Sequence, residues 1–392
     1  MINKKNKNFH LTLTPFVHES RILKEVQSLT EETLFSKIIV IAEGRKDLPP
    51  YEKINNDVDV VRISLPVFFQ NKGFYFKLLR ILLYTIKSFI FLFKEINTSS
   101  IITCHSLLCL HIGVAYKLFK KVKIIYDAHE LESQQDGYSE PLKKALKIWE
   151  KKLIKHIDYT IVVSDSIKDW YKINYHIKNI VTVKNIPLLH SRNDNDEEIN
   201  VKGKYNLNDK DILFIYVGNL GVGRFIEPLI KIFKEYNNNK HILFLGYGDY
   251  QNIVKISAQE SSNIHFHSSV TPENVIRYVR SCDVGLSIIE NNGLSCFYCL
   301  PNKLFEYTAS GIPSIVSAFP EMSQFIKTIQ VGWAINPELK EVANCIQSIT
   351  ANEIKQYKDS LRKLNYTVSW ETEVPNLIKA YSHALFENKS HK

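Results

Sequence analysis

The chain has 392 residues, of which 45% are hydrophobic and 23% charged, a composition typical of folded globular proteins and unlike that of disordered chains. At roughly 150 residues per domain, this length predicts two domains. The formal charge of +9 favours anionic partners such as phosphate-rich ligands or an anionic membrane surface, whereas nucleic acid is disfavoured because the sequence has no recognised binding module.

Short apolar runs alternate with helical patterns in the first half of the chain. The first eight residues are polar and lysine-rich, and no apolar stretch follows them, so we expect no secretory signal and a cytoplasmic location. An amphipathic helix is predicted from about Arg21 to Leu29. The strand candidates are 10–13, 38–42, 58–65, 101–103, 124–126 and 160–163. This alternation predicts βαβ units and a parallel sheet, with ligands at the carboxyl ends of its strands.

The segment 74–96, from Phe74 to Ile96, is strongly apolar and aromatic. It also carries four cations, Lys77, Arg80, Lys87 and Lys94. Its longest uncharged stretch is much shorter than the ~20 residues that span a bilayer. A basic, aromatic-rich helix is typical of an interfacial membrane contact, and the alternative is a buried helix whose lysines reach solvent.

Polar side chains follow two neighbouring strand candidates of the first half. Asp127, His129 and Glu130 come at the end of strand 124–126, and His105 follows strand 101–103. A histidine here could donate a hydrogen bond or move a proton near neutral pH. A single histidine is more often structural, but these two strand-end histidines accompany two carboxylates. We therefore predict a functional site at this edge of the sheet.

A polar, charged stretch at 190–211 is typical of a linker. It contains two D-x-D patterns, at 194–196 and 209–211, which we interpret as solvated charge instead of a metal site.

Cys296 and Cys299 form a single C-x-x-C without a second half, for which buried or surface thiols are the simpler interpretation. No P-loop and no G-x-S-x-G motif occurs, which disfavours kinases and hydrolases.

The strand–helix alternation resumes after the linker and ends in an amphipathic helix that follows Trp370. Its strand candidates are 213–217, 241–245, 264–267, 284–288 and 313–316, and the final helix is predicted at 371–386. Two α/β halves joined by a linker leave a cleft, which is a common place for ligands.

The first strand of this second half ends in a glycine-rich turn, 218–224, and a helix is predicted to begin at about Ile226. Gly218 and Asn219 open the turn and Arg224 closes it. Backbone N–H groups of such a turn and the N-terminus of the next helix can approach phosphate. Arg224 would add a fixed charge for a diphosphate. The alternative is a tight turn with a surface arginine.

Two further motifs follow. Tyr247 lies in a second glycine turn, where it would either stack on a flat ring or shield the turn. Asn302 and Lys303 are predicted to open a helix, and Glu306 follows one turn later on the same face. A carboxylate for ribose hydroxyls and an ammonium for phosphate suit a nucleotide sugar, whereas a surface ion pair is the alternative.

Four segments in this order, 18–25, 126–131, 216–224 and 300–313, resemble a bacterial family-4-type glycosyltransferase, among the glycosyl transferases group 1. The resemblance implies the α/β GT-B fold, in which two Rossmann-like domains face each other across a cleft. It implies an acceptor-binding domain at 1–189 and a nucleotide-sugar-binding domain at 190–369. A C-terminal helix within 370–392 would cross back to the first domain.

The resemblance also implies roles for individual residues. His129 and Glu306 would be catalytic, with His129 beside the transferred sugar and Glu306 on the ribose. The donor-binding residues would be Gly218, Asn219, Arg224, Tyr247, Asn302, Lys303 and Glu306. The acceptor-side candidates would be Arg21, His105, Asp127 and Glu130. The family implies retention, no metal and no tightly bound cofactor, with a UDP- or GDP-sugar as co-substrate.

The implied acceptor is a glycan or a polyprenyl-linked glycan of capsule, O-antigen or lipopolysaccharide assembly. The basic first domain and the segment 74–96 suit the inner face of the cytoplasmic membrane. Two positions depart from the family pattern, because Tyr298 replaces a glutamate and Asn219 replaces an arginine. These departures keep a non-catalytic nucleotide-sugar-binding partner as an alternative, and a nucleotide-sugar epimerase is a second alternative because it can use the same fold.

Overall fold

The structure is a computed structural model, and it describes most of the chain. The described residues are 6–17, 19–66, 74–96, 100–188, 199–235, 239–363 and 368–386. The chain divides into two compact units, the first formed by Met1–Lys184 together with Glu373–Lys392 and the second by Asn185–Thr372. His18 and the acidic pattern at 194–196 lie outside the described residues.

The first unit is built on an eight-stranded sheet. Its strands are Lys7–Leu11 (β1), Lys37–Glu43 (β2), Tyr51–Lys53 (β3), Val58–Ile63 (β4), Ile101–Cys104 (β5), Lys123–Ala128 (β6), Tyr159–Val162 (β7) and Ile180–Thr182 (β8). The order is β3-β4-β2-β1-β5-β6-β7-β8, and every pair is parallel except β3 with β4. From β4 to β7 this is the 3-2-1-4-5-6 order of a Rossmann sheet.

Helices connect these strands and cover both faces of the sheet. They are Ser20–Glu31 (α1), Phe74–Glu95 (α2), Leu107–Lys117 (α3), Glu140–Ile154 (α4) and Asp165–Tyr175 (α5). The C-terminal helix, Val374–Phe386, also belongs to this unit and is numbered α15 because the helices of the second unit precede it in the chain. The C-terminal helix contacts β6, β7, β8 and α1. Its inner face buries Leu377, Ala380, Tyr381 and Ala384, so the end of the chain completes the core of the first unit.

Helix α2 is anchored on one side and exposed on the other. Tyr84 is fully buried, and its hydroxyl donates to the carbonyl oxygens of Thr12 and Ile41 at 2.8 and 2.9 Å. The opposite face exposes seven large apolar side chains, here named the apolar stripe: Tyr75, Leu78, Leu79, Leu82, Ile86, Ile90 and Phe93. Among the described residues, no helix is both long enough and apolar enough to cross a bilayer.

The second unit is built on a six-stranded, all-parallel sheet. Its strands are Ile212–Asn219 (β9), Lys240–Tyr247 (β10), Ile264–Ser268 (β11), Val284–Ser287 (β12), Ser314–Ser317 (β13) and Trp333–Ile335 (β14). The order β11-β10-β9-β12-β13-β14 is again 3-2-1-4-5-6. Residues of β9, β10 and β12 are buried on both faces, as expected when helices cover both sides of a parallel sheet.

Nine helices of the second unit precede the C-terminal one among the described residues. They are Val201–Lys204 (α6), Ile226–Glu235 (α7), Gln251–Glu260 (α8), Pro272–Arg280 (α9), Leu294–Phe297 (α10), Asn302–Ala309 (α11), Pro320–Ile329 (α12), Leu339–Ser348 (α13) and Ala351–Lys363 (α14).

The predicted elements are present, with some differences at their ends. The predicted strand 10–13 lies earlier, as β1, because the chain turns after Leu11. The predicted final helix begins later, at Val374, because Trp370–Thr372 forms a 3-10 turn. The predicted linker contains the short helix α6. Three short strands, β3, β8 and β14, were not predicted.

Candidate active site

Each sheet reverses its strand order at one point, where ligands of such sheets bind. In the first unit this switch point lies between β1 and β5, and in the second between β9 and β12. His105 directly follows β5, and Gly218 and Asn219 end β9. The motifs found in the sequence therefore lie at the binding edge of each sheet.

Asp127, on β6, is the centre of a buried polar cluster in the first unit. Its carboxylate accepts hydrogen bonds from Nε and Nη2 of Arg21, at 3.1 and 2.7 Å, and from ring nitrogens of His105 and His129, at 2.9 and 2.8 Å. Arg21 also donates to the carbonyl oxygen of Val183 at 2.9 Å. We call His10, Arg21, His105, Asp127 and His129 the histidine–aspartate cluster.

This arrangement keeps the Asp127 carboxylate ionised. Burial alone would raise the pKa of Asp127, but the charges of Arg21 and His129 and the hydrogen bonds from His105 and His129 hold it well below its usual range. An ionised carboxylate only accepts hydrogen bonds. The Nε2 atom of His129 must therefore carry the proton shared with Asp127, which leaves Nδ1 for a ligand.

A chain of hydrogen bonds extends from Asp127 away from His129. His105 accepts at Nε2 from Nδ1 of His10 at 2.8 Å, and the Nε2 of His10 lies 2.7 Å from the side-chain nitrogen of Asn8. Thr103 donates to the oxygen of Asn8 at 3.1 Å and lies 2.9 Å from the hydroxyl of Tyr381. With Asp127 ionised, one assignment of protons gives every hydrogen bond of this chain a donor and an acceptor. In that assignment each group donates to the neighbour that lies nearer to Asp127.

Burial keeps the inner part of this chain uncharged. Burial and the neighbouring His105 hold the pKa of His10 well below its usual range. Burial also lowers the pKa of His105, in spite of its hydrogen bond to Asp127. His10 and His105 are therefore disfavoured as cations, and the charges that act on the Asp127 carboxylate are those of Arg21 and His129.

Glu25 is the exception to this satisfied network. It is fully buried, and neither carboxylate oxygen makes a hydrogen bond within the described part of the chain, although Oε1 lies 3.1 Å from Nε of Arg21. Burial and the charge of Asp127 raise the pKa of Glu25 well above its usual range. The Glu25 carboxyl thus lies beside the ionised Asp127, where a second buried negative charge is disfavoured.

The four acceptor-side candidates differ in exposure. Arg21, His105 and Asp127 are buried and Glu130 is exposed, and their contact with an acceptor stays a prediction. His129 itself keeps about a quarter of its side chain exposed.

Two overlapping triads place ligand atoms close enough for one metal ion. One is His10 with Glu25 and His105, and the other is His105 with Asp127 and His129. The guanidinium of Arg21 bound to Asp127 disfavours a cation there, and absence of a metal stays a prediction.

The second-unit site begins at the glycine turn 218–224. Gly218 has φ +110°, a left-handed conformation that suits glycine, and a Cβ at Gly246 would lie 1.9 Å from the carbonyl oxygen of Gly218. The N–H of Leu220 donates to the carbonyl oxygen of Tyr247 at 2.7 Å. The predicted glycine turns after β9 and β10 therefore pack directly against each other. They leave Asn219 and Tyr247 exposed and Arg224 half-buried.

The loop after β12 closes the other side of this site. The N–H of Glu290 donates to the carbonyl oxygen of Gly223 at 3.0 Å. Ser317 fixes the same loop, because its hydroxyl accepts from the N–H of Ile289 at 2.7 Å and donates to the carbonyl oxygen of that residue at 2.8 Å. The glycine turn and the loop after β12 therefore form one continuous rim at the switch point.

Helix α11 begins at Asn302, as predicted, and brings Lys303 and Glu306 to this rim. Tyr307 anchors the helix to the sheet: its buried hydroxyl accepts from the N–H of Val217 at 3.2 Å and donates to the carbonyl oxygen of Leu286 at 3.0 Å. The ring of Tyr307 fills the space that a side chain at Gly285 would need. Asn302 is exposed, and Lys303 and Glu306 are half-buried.

Lys303 occupies an unusual electrostatic position. Its ammonium lies 3.7 Å from the ring centroid of Tyr216, a cation–π contact. Burial, and then the charge of Arg224, lower the pKa of Lys303 from 10.5 to about 7, although Glu306 acts in the opposite direction. Two cations thus lie close enough to repel each other, and a bound anion would relieve this repulsion.

Several residues of both sites were not predicted. Asn8 and His10 of the hydrogen-bonded chain are two of them, although polar residues at alternate positions of an apolar strand give a detectable signal. No sequence pattern marks Tyr381 in the first unit, or Tyr216 and Glu290 in the second. Their roles depend on contacts with residues that are distant in the sequence.

Known families match both halves of the chain. The model described as Glycosyltransferase Family 4 matches residues 36–186, and the model described as Glucosyltransferase 3-like, C-terminal domain matches residues 214–373. None of the curated proteins compared with the chain matches it.

Solved structures resemble the chain over almost its whole length. Sucrose-phosphate synthase from Thermosynechococcus elongatus is 14% identical, with a TM-score of 0.76 over 96% of this chain and 98% of that one. The α,α-trehalose 6-phosphate synthase of Burkholderia multivorans is 12% identical, with a TM-score of 0.68 over 97% and 100%. HepE from Anabaena, solved with UDP-glucose, is 10% identical, with a TM-score of 0.66 over 96% and 99%. These similarities confirm the predicted fold of two Rossmann-like domains.

Proposed function

We propose that the chain is a glycosyltransferase of the GT-B type, because the Glycosyltransferase Family 4 model matches residues 36–186 and the Glucosyltransferase 3-like, C-terminal domain model matches residues 214–373. It transfers a sugar, with retention and without a metal, from a nucleotide-sugar donor to a lipid-linked or growing surface glycan. Transfer takes place at the inner face of the cytoplasmic membrane. The observation that carries the donor assignment is the convergence of Arg224, Lys303 and Glu306 at the second switch point.

The second unit binds the donor in this proposal. The N–H groups of the glycine turn and the guanidinium of Arg224 contact the diphosphate, and Lys303 adds a second cation. Glu306, one turn along helix α11, accepts hydrogen bonds from the ribose hydroxyls. These fixed cations stabilise the charge that develops on the leaving diphosphate, which supports a metal-independent reaction. HepE was solved with UDP-glucose, which supports a UDP-sugar over a GDP-sugar.

The first unit supplies His129 to the sugar. The carboxylate of Asp127 fixes the tautomer and the orientation of the ring, so Nδ1 is available to a hydroxyl of the transferred sugar. His105 donates a hydrogen bond to the same carboxylate, and His10 donates one to His105. In a retaining reaction the acceptor hydroxyl attacks from the face that the leaving group vacates, and a donor phosphate oxygen takes its proton.

Helix α2 supports a membrane-associated acceptor. Its apolar stripe is exposed over the length of the helix, and Lys77, Lys87 and Lys94 are exposed beside it. The end of helix α3 extends this surface, since Phe119 contacts Phe89 at 5.8 Å between ring centroids. Exposed apolar side chains flanked by lysines suit an anionic lipid surface.

Two substitutions, one in each unit, test the proposed roles of Glu306 and His129. Glu306→Ala is expected to weaken binding of the nucleotide-sugar donor at least tenfold, because the ribose loses its charged acceptor. His129→Ala is expected to lower turnover with little effect on donor affinity. Glu260→Ala and His156→Ala, which change exposed residues of the second and first unit, are the matched controls. Calorimetry and product formation give the two readouts, and wild-type values for both site variants would refute the assignment.

Vesicle flotation tests the membrane contact. The wild-type chain is expected to float with vesicles containing phosphatidylglycerol and to remain unbound with phosphatidylcholine alone. Leu78→Gln with Leu82→Gln should abolish flotation, because two exposed side chains of the apolar stripe would no longer enter the lipid. Equal flotation of this variant would show that the stripe does not contact the membrane.

A further inference from the structure

A cavity of about 280 Å³ opens at the carboxyl edge of the first sheet, away from the histidine–aspartate cluster. Strand β2 ends at Glu43 and β4 at Ile63, and the residues that follow them, Gly44 and Leu65 among them, form part of its wall. Gly44 lies against this segment so closely that a Cβ would be 2.6 Å from the carbonyl oxygen of Ile63. The cavity is thus part of the rigid sheet edge.

Cations dominate the lining of this cavity. Its charged side chains are Arg45, Arg80 and Glu43. The ammonium of Lys87 lies just behind the wall, 2.6 Å from the carbonyl oxygen of Ser64. Arg45 is paired with Asp47 and Arg80 with Glu43, so these four charges balance, and the exposed ammonium of Lys87 supplies the positive charge of this site, which lies outside the proposed donor-binding residues and the histidine–aspartate cluster.

The two guanidinium groups differ in how exposed their ion pairs are. Arg45 pairs with Asp47 at 2.6 Å, but the two side chains are 45% and 62% exposed. Arg80 pairs with Glu43 at 3.1 Å and is 38% exposed. The exposed Arg45–Asp47 pair contributes little stability, so a stronger anion can displace Asp47 at small cost, whereas the Glu43 side chain is only 14% exposed and stays paired with Arg80. The planar guanidinium group binds phosphate oxygens in pairs.

We propose that this cavity binds a diphosphate carried by the acceptor. The inference rests on the proposed transfer to a glycan acceptor, and it assigns the part of the acceptor that the first unit holds. Phosphate oxygens would bind Arg45 and Arg80 together, while Glu43 would keep Arg80 oriented.

The position of the cavity indicates what lies between this diphosphate and the reacting hydroxyl. The cavity lies at the ends of β2 and β4, and His129 follows β6. With β1 and β5 between them, the separation is about three strand spacings, or roughly 15 Å. That distance exceeds one sugar ring. The acceptor therefore carries at least one sugar between its diphosphate and the hydroxyl that reacts. A simple sugar monophosphate lacks this spacing.

Helix α2 indicates the source of the diphosphate. Arg80 lies between Leu79 and Leu82, which belong to the exposed apolar stripe, so one helix presents a guanidinium to the cavity and apolar side chains to its surroundings. A lipid diphosphate has its charged group at the membrane surface and its chain in the lipid. This combination favours a lipid diphosphate over a soluble phosphate.

The test uses the full chain with its donor site saturated by UDP, so that added diphosphates cannot bind there. Calorimetry then measures the affinity for geranyl diphosphate, inorganic pyrophosphate and glucose 6-phosphate. Arg45→Gln with Arg80→Gln is the test variant, and Arg362→Gln, at a 76% exposed position of the second unit, is the control. Unchanged thermal unfolding of both variants excludes a folding defect.

We expect geranyl diphosphate to bind most tightly, and to bind at least tenfold more weakly to the double variant than to the control. Tighter binding of glucose 6-phosphate would retain the anion site but assign it to a soluble acceptor. Absence of binding, or equal affinity in the double variant, would overturn the inference. UDP-glucose affinity should be the same in all variants, and failure of the wild-type chain to bind UDP-glucose would count against the proposed function alone.

Discussion

The lowered pKa of Lys303 makes donor binding depend on pH in a predictable direction. In the free chain burial and Arg224 lower this pKa to about 7, so the ammonium is mostly charged below pH 7 and mostly neutral above it. Only the charged form attracts a diphosphate. At pH 8 about one chain in ten carries that charge, so the affinity should fall about tenfold between pH 6 and 8, which corresponds to roughly 1.4 kcal/mol.

Lys303→Arg is the variant that isolates this effect, because a guanidinium stays charged throughout the range. Calorimetry with UDP-glucose at pH 6, 7 and 8 is the assay, since both phosphates of this donor are esterified and keep their charge. We expect a tenfold fall for the wild-type chain and a nearly constant affinity for the variant. The same pH dependence in both proteins would refute the assignment of Lys303 to the diphosphate.

Three further predictions concern buried groups. Asp127→Asn should lower the free energy of unfolding by about 3 kcal/mol, measured by urea denaturation, because Arg21 loses its buried ion partner. Glu150→Gln should cost about 2 kcal/mol in the same assay, since three buried tyrosine hydroxyls donate to the Glu150 carboxylate. His265, whose pKa is lowered to about 4 by burial and by His241, should make the chain less stable as the pH falls from 6.5 toward 4. His265→Phe should remove about 1–2 kcal/mol of that loss in thermal unfolding at pH 4.5 and 7. An unchanged stability in any of these comparisons would contradict the corresponding contact.

Much of the fold was predictable because parallel strands buried on both faces need continuous apolar residues. Strands β2, β9 and β10 are such runs, and glycine turns mark where β9 and β10 end. The start of helix α11 at Asn302 was predictable from the preceding proline, which favours the first turn of a helix or the residue before it. The short strands β3 and β14 were not predictable, because most of their residues are only partly buried or exposed.

The candidate site was less predictable than the fold. His129, Arg224, Lys303 and Glu306 followed from motifs and from the family resemblance. The function of Asp127, by contrast, depends on Arg21, which is 106 residues away in the sequence. Burial places Asp127 in contact with Arg21, His105 and His129, and its assignment to the acceptor side stays a prediction. Such roles depend on which side chains meet in three dimensions, and spacing along the chain does not determine this.

Sugar transfer itself tests the central claim most directly. The purified chain is incubated with UDP-glucose, or in parallel with GDP-mannose, each labelled in the sugar, together with vesicles that contain a prenyl-diphosphate-linked glycan. We expect label from one donor to enter the lipid fraction, and His129→Ala and Glu306→Ala to abolish this transfer. A donor that is converted to a different nucleotide sugar without acceptor, or label that never leaves either donor, would contradict it.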